Sequence, residues 1–398
     1  MKPKYELLAP VGNFAMLRAA VDAGADAIFF GLKNFNMRAG AKNFEVKDLD
    51  EINKICKPKG VKKYLTLNII IYPEEVKKVD ALLKKIKNKV DAIICWDFSV
   101  INLCKKHKIP FHISTQASIS NPESALFFKK LGAKKIVLAR ELNLKQIKEI
   151  SKTFKGKPEI ECFCHGAMCV SISGRCFMSQ HLHGLSANRG ECAQPCRRAY
   201  KITEEGHPEN ELVLDNNRVM SAKDMCTLPF IEQMKKAGIT SFKIEGRNRN
   251  PEYVYTTVKE YRKALDKNLS KEEITQSLEE LKKVYNRGFS NGFYLGLPTS
   301  DDISKAETGE QTETKIFIGK IFKYWPKISV AEIQISNNGL KLGDEIYITS
   351  DKTGIVRTKI ESIQMEHKSL EKANKGDKIG IKVPKCNEGD EVYLIKIK

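Results

Sequence analysis

Between Glu161 and Arg197 the chain reads ECFCHGAMCVSISGRCFMSQHLHGLSANRGECAQPCR, which gathers Cys162, Cys164, Cys169, Cys176, Cys192 and Cys196, six of its eleven cysteines, into one short stretch. These thiols are interleaved with Gly174, Arg175, Gly190, Pro195 and Arg197. Such sequence is loop-like and offers no buried apolar face, so the thiols read as ligands and not as packing. The opening MKPKYELLAPVGN passes from lysines straight into mixed polar sequence, unlike a signal peptide. A cytoplasmic protein with reduced thiols is therefore expected, and extracellular disulfides are not. The gaps are six residues from Cys169 to Cys176, fifteen to Cys192 and three to Cys196. Structural zinc favours two close pairs; the wider spacing here fits an iron-sulfur cluster at least as well, and inert reduced thiols remain a third reading. Arg175, Arg189 and Arg197 alternate with the cysteines, where they would lower thiol pKa and offset the charge of a ligated metal. Cys56, Cys95, Cys104 and Cys386 stand singly in helix, strand or tail sequence and are expected to pack.

Thiols act together only if a scaffold aims them. From Tyr5 to about Ala133 one unit recurs: a β-branched or aromatic run, a loop, an amphipathic helix, then glycine before the next run. Asn13 is placed to cap a helix carrying Met16, Leu17, Ala20 and Val21 on one face, and Gly24 to end it before DAIFFG. Candidate strands fall near 6–10, 26–31, 63–71, 91–97, 111–116, 134–140, 158–164 and 240–246. Eight in succession predict an α/β fold, a TIM-like (β/α)8 barrel over residues 1–298. The rival, an open doubly wound sheet, wants a glycine-rich loop after the first strand, and APVGN has one glycine. In a barrel, chemistry sits at the carboxyl ends of the strands. The cysteines follow the seventh strand, inside an insertion of about 165–238, and so should open onto that face. Arg38, Arg140, Lys243 and Arg247 also follow strands; with Arg175 they are the expected substrate-binding cations, suited to carboxylates. His165 and Glu245 are the expected proton-transfer residues.

Residues 299–314, TSDDISKAETGEQTET, read as a linker, and 315–398 as a small all-β barrel of short strands and turns such as SNNG and NKGD. Lys and Arg number 68 against 49 Asp and Glu, a formal charge of +19. Such an excess fits a polyanionic partner such as RNA, and equally a lysine-rich solvated surface. No apolar run reaches the roughly eighteen residues that a membrane span needs.

Taken together, CHGAMCVSISGRCFMS, NRGECAQPCR, SAKDMC and FKIEGR resemble the collagenase-like peptidase family U32, of unassigned catalytic type, and the resemblance runs over nearly the whole chain. Within that family the pattern is most similar to the tRNA 5-hydroxyuridine modification proteins. The resemblance implies a 4Fe-4S cluster held by Cys169, Cys176, Cys192 and Cys226, with Cys196 outside the ligand set. It also implies prephenate as hydroxyl source, 5-hydroxylation of a wobble uridine, tRNA as partner, and an oligomer with itself or with a family paralogue. The family name carries an alternative, peptide hydrolysis by Cys169 with His165 four residues before it. Non-catalytic RNA binding is a third reading, resting on the charge and the tail.

Overall fold

In the computed structural model, which describes residues 5–154, 156, 158–212, 220–306 and 308–398, the recurring unit builds a closed barrel. Strands β1 (Glu6–Pro10), β2 (Ala27–Phe30), β3 (Lys62–Thr66), β4 (Ala92–Cys95), β5 (Phe111–Ile113), β6 (Lys135–Val137) and β7 (Glu159–Ala167) run parallel in chain order. The ring closes through β9 (Ser241–Ile244), which lies between β7 and β1; β8 (Asp224–Cys226) precedes it in the chain. Helices α1 (Phe14–Asp22), α2 (Leu49–Cys56), α3 (Val76–Ile86), α4 (Phe98–His107), α5 (Pro122–Lys130) and α6 (Leu144–Lys152) alternate with the first seven strands. Their starts are set locally. The Asn13 side chain accepts from the Met16 N–H at 2.9 Å, and Asn121 and Asn143 cap α5 and α6 in the same way.

Several strands end earlier than their apolar runs predict. Lys62–Thr66 stops short of 71, and Phe111–Ile113 gives way to a turn at Thr115–Ala117. Residues beyond the ladder peel outward at the carboxyl end, where they are freed to line a site.

The barrel interior is charged at its amino-terminal end. Lys135, 1% exposed, is hydrogen-bonded to Glu6 and lies 3.5 Å from Glu161, which in turn accepts from Lys243 at 3.0 Å. Burial raises the Glu6 pKa, yet Lys135, Tyr64 and Lys62 together bring the carboxyl down to about 2.

Between β7 and β9 the chain makes a lobe that includes the described residues 168–212 and 220–223. It is narrower than the expected 165–238, because β7 continues to Ala167 and β8 returns antiparallel to it, pairing Asp224 with Ala167 and Cys226 with His165. The lobe holds α7 (Met178–His183) and a hairpin of Ile202–Glu204 with His207–Leu212; α8 (Ile231–Lys236) then crosses to β9. After β9 come α9 (Pro251–Asp266), α10 (Lys271–Lys283) and β10 (Phe289–Ser290), the last pairing with β8.

The expected linker is bonded to the lobe and does not hang free. Lys223 donates to the Asp302 carbonyl at 2.8 Å and Ser304 to that of Ser221 at 2.7 Å. Glu307, within that span, lies outside the described residues. The tail starts at β11 (Glu313–Trp325) and adds β12 (Val330–Ile335), β13 (Glu345–Ser350), β14 (Gly354–Lys359), β15 (Ile363–Met365), β16 (Lys378–Lys382) and β17 (Glu391–Ile397). These form an antiparallel sheet in the order β14-β13-β17-β11-β12-β16-β15 around one apolar core that includes Ile318, Ile333, Ile346, Ile381 and Leu394. Asp351 accepts from the Ala15 N–H at 3.1 Å and from Arg18 Nε at 2.9 Å, while Lys315 meets Glu252 at 2.7 Å. Ala15 and Glu252 lie in the first turns of α1 and α9, and Arg357 and Lys359 border a cleft that runs along α9 to Glu260, so the tail docks on the outer flank of the barrel against α1 and α9. No helix among the described residues is long and apolar enough to cross a membrane.

The charged interior yields a stability prediction. Lys135→Met removes the buried counter-ion of Glu6 and leaves Glu161 with Lys243 alone, and urea unfolding should show a loss of about 3 kcal/mol, the cost typical of breaking a buried ion pair from one side. A loss under about 1 kcal/mol would mean that Lys135 is not their counter-ion.

Candidate functional site

Three arginines from separate strand ends meet around one carboxylate. Glu245, directly after β9, is 9% exposed, and its Oε1 takes both the Arg38 Nη2 at 2.6 Å and the Arg38 Nε at 3.2 Å. Arg247, 4% exposed, donates to Asn36 Oδ1 at 3.1 Å and Thr66 Oγ1 at 3.0 Å. Arg140 lies with its guanidinium 3.8 Å from the Phe163 ring centroid and donates to the Ala167 carbonyl at 3.1 Å; its Nε is buried without a partner among the described residues. Burial pushes the Glu245 carboxyl up, but Arg38, Arg140 and Arg247 together pull it down to about 2. Burial and then repulsion from Arg38 pull Arg247 down to about 9. Lys243 lies deeper in the same well, its Nζ 4.4 Å from the Phe29 ring centroid. A cavity of about 40 Å³ lined by Arg38, Arg140, Lys243, Glu245 and Arg247 forms the bottom of this well.

Above it opens a larger cavity of about 530 Å³, which shares Met37, Arg38, Thr115, Gln116 and Arg140 with the lower one and is roofed by the lobe. Cys169, Cys176, Cys192 and Cys196 all face this cavity. All four are free; Cys169 and Cys192 are exposed, Cys176 and Cys196 half-buried. Burial, with a smaller push from the other three sulfurs, raises the Cys196 pKa against the pull of Arg197.

Cationic clamps hold the lobe down. Arg189 bonds Glu75 at 2.5 Å and the Ile70 carbonyl at 2.6 Å, whereas Arg197 ties the two ends of the lobe to each other, bonding the Met168 carbonyl at 2.5 Å and the Ala222 carbonyl. Arg175 reaches the Gln116 carbonyl at 2.6 Å beside the Trp96 ring. It is therefore a clamp on the barrel loops and does not line the cavity. Gly190, at φ +98°, lets the lobe touch the loop carrying Arg38, since a Cβ there would lie 2.3 Å from the Asn36 carbonyl oxygen.

Two expected members stand elsewhere. Cys226 is buried at the end of β8, its sulfur 3.6 Å from the donating Tyr261 hydroxyl and its pKa pushed by burial to about 11. It does not face the thiol-lined cavity. His165 is 1% exposed among Tyr253, Tyr261 and Phe289, and burial, followed by Arg249, lowers its pKa to about 3. The cause is a register shift in the pairing with β9 between Lys243 and Ile244: Phe163 faces the well, but His165 is turned away from it. Glu245 is brought to the site, yet a carboxyl held at about 2 is a weak proton acceptor, so its place is that of counter-ion. Among residues that sequence reasoning missed, Arg287 and Asn248 line the larger cavity. Arg287 lies between α10 and β10, 3.8 Å from the buried Asp224, in a segment without a barrel-strand signature.

Because the folded pKa of Glu245 lies below the ordinary 4.5, the stabilisation it contributes is complete above about pH 4.5 and is lost as pH falls toward about 2. The difference in unfolding free energy between wild type and Glu245→Gln should be roughly 3 kcal/mol at neutral pH and shrink below pH 4.5, as read by denaturation across a pH series. A difference unchanged from pH 7 to 3 would refute the ion-pair account.

The sequence matches the model of Peptidase family U32 over residues 12–304. The chain is 41% identical to a protein named collagenase from Porphyromonas gingivalis, covering 98% of this chain and 97% of that protein. It is 40% identical to an uncharacterized protease of Methanocaldococcus jannaschii, covering 100% of this chain and 99% of that one. To the tRNA hydroxylation protein P1 of Bacillus subtilis it is 36% identical, over 86% of this chain and 83% of the other. With a closed barrel, a Cys-rich lobe over its mouth and a family match across most of its length, the chain belongs to peptidase family U32.

Proposed function

We propose that this protein is a cytoplasmic RNA-modifying enzyme that hydroxylates C5 of a wobble uridine in tRNA, with prephenate as hydroxyl source and a 4Fe-4S cluster at the thiol rim. The observation that carries this reading is the stacking of two features: four free thiols around one cavity, directly above a well with three guanidinium groups and one carboxylate. Among the described residues no three His, Cys, Asp or Glu side chains converge to hold a single ion. Four thiols spread around a space suit a cluster, in which each iron takes one thiolate. Soft thiolate donors select iron-sulfur or zinc over hard cations. On this geometry Cys169, Cys176, Cys192 and Cys196 are the proposed ligands. Cys196 takes the place that the family resemblance assigns to Cys226.

When bound, such a cluster would supply one-electron or Lewis-acid chemistry at the mouth of the barrel. The chain's own residues do the rest. Arg38, Arg140 and Arg247 exceed the single charge of Glu245 and would bind a small dianion such as prephenate, Arg140 with its unpartnered Nε. Lys243 and the buried Arg247 keep that charge in a low-dielectric pocket, where it counts for more than at the surface. The lobe, clamped by Arg175 and Arg189, roofs the well against bulk water, and the +19 net charge favours a polyanionic second substrate. The tRNA hydroxylation named for the Bacillus subtilis relative supports this reading.

Peptide hydrolysis fits less well. A thiol nucleophile needs an imidazole within hydrogen-bond reach, and among the described residues no histidine lines either cavity. Simple RNA binding would leave the cationic well without a purpose.

In a strain lacking the gene, the wild-type protein should restore 5-hydroxyuridine-derived nucleosides, measured by mass spectrometry of digested tRNA. Unchanged nucleosides would contradict the function. For the ligands, anaerobically purified Cys196→Ser should lose most of its iron and acid-labile sulfide, while Cys226→Ser keeps both. The opposite pattern would return Cys226 to the ligand set.

A further inference from the structure

The tail carries a surface that the barrel site does not use. On β11 the pairing with β12 shifts register between Ile321 and Lys323, so that Ile321 faces the core opposite Ile333 while Phe322 turns out, 64% exposed. Trp325, at the end of the same strand, is 37% exposed. Each ring has a lysine over it: Lys378 Nζ lies 4.5 Å from the Phe322 centroid, and Lys323 Nζ lies 5.3 Å from that of Trp325. The ladder extends the pattern, with Lys320 opposite Gln334, Gln334 opposite Lys378, and Val330 opposite Lys382. The opposing charges nearby are Glu332, 3.1 Å from Lys378, and Glu391, 4.0 Å from Lys320. Gly380 has no side chain to fill the surface between Lys378 and Lys382.

Exposed rings on a sheet face, each with a lysine ammonium over one side, bring together what single-stranded nucleic acid uses: an aromatic surface for a base, from which the flexible lysine can swing aside, and a cation for the phosphate beside it. An apolar protein surface would have to desolvate these ammonium groups without recompense. We propose that this face of β11, β12 and β16 is a stacking platform for a single-stranded segment of the RNA substrate. The proposal rests on the RNA-modifying reading of the barrel and deepens it. The tail is bonded to α1 and α9, so the platform is carried by a domain fixed to the barrel that holds the thiol-rimmed mouth.

The test uses the full-length protein with a fluorescein-labelled single-stranded RNA of about 12 nucleotides and with an unmodified tRNA transcript, both followed by anisotropy. Phe322→Ala combined with Trp325→Ala should weaken binding of both by about 10- to 100-fold, with the far-UV circular dichroism of the folded wild type retained. Lys320→Glu with Lys382→Glu should flatten the salt dependence of binding. In hydroxylation assays the aromatic pair should raise KM for tRNA and spare kcat. Unaltered affinity in the aromatic double variant overturns the platform. So does a shift of that variant from oligomer to monomer in sedimentation, which would make the face an interface between copies. The two readings fail separately: tRNA modified normally by variants with wild-type affinity sinks the platform alone. RNA bound through Phe322 and Trp325 by a protein that modifies no tRNA sinks the barrel reading and leaves the platform standing.

Discussion

One carboxylate shared among three guanidinium groups is the constraint on which this site depends. Glu245 is taken by Arg38 and lies in the fields of Arg140 and Arg247, so the well keeps surplus positive charge that its own residues do not cancel. Like charges buried together repel, and Arg247 is depressed to about 9 for that reason as well as for burial. The structure tolerates this because each guanidinium is tied to a rigid strand end: Arg247 through Asn36 and Thr66, Arg140 through Ala167 and the Phe163 ring. A polar arrangement held in advance is ready for an anion without further reorganisation.

The same barrel handles charge in opposite ways at its two ends. At the amino-terminal end Glu6 and Glu161 are matched by Lys135 and Lys243, a self-satisfied network that fills the interior where a larger apolar core would otherwise sit. At the carboxyl end cations outnumber carboxylates and face a cavity. The lobe above has few buried apolar residues among its described residues and is secured by Arg175 and Arg189 binding barrel-loop carbonyls and Glu75, while Arg197 joins its two ends. Its thiols are thus placed by ion pairs and hydrogen bonds to the barrel loops more than by a core.

Much of this was legible in the sequence, for reasons that separate local from non-local physics. Helix caps such as Asn13 and the eight apolar runs announce the barrel, and residues one to three places past a strand, such as Glu245 and Arg247, must come to the mouth. The burial of His165 away from the well follows from a register shift that reverses the facing of side chains and leaves no mark on the apolar pattern. Cys226 entered the ligand set by resemblance. Its place on β8, opposite His165 and beneath Tyr261, depends on an antiparallel return that periodicity does not reveal. Arg287 reaches the cavity from beyond α10 by tertiary packing alone, and the span at 299–314 looked like a linker because backbone bonds to 221–223 do not require apolar side chains.

The central claim is that the uncancelled cations of the well hold a small dicarboxylate. Calorimetric titration of prephenate into the anaerobically purified full-length protein tests it most directly, with Arg140→Met as comparison because methionine keeps the packing on Phe163 while removing the charge. The account predicts saturable binding by wild type, weakened by about tenfold or more in the variant, as expected for loss of a charge-assisted contact. No binding by the wild-type protein, or equal affinity in the two, would contradict it.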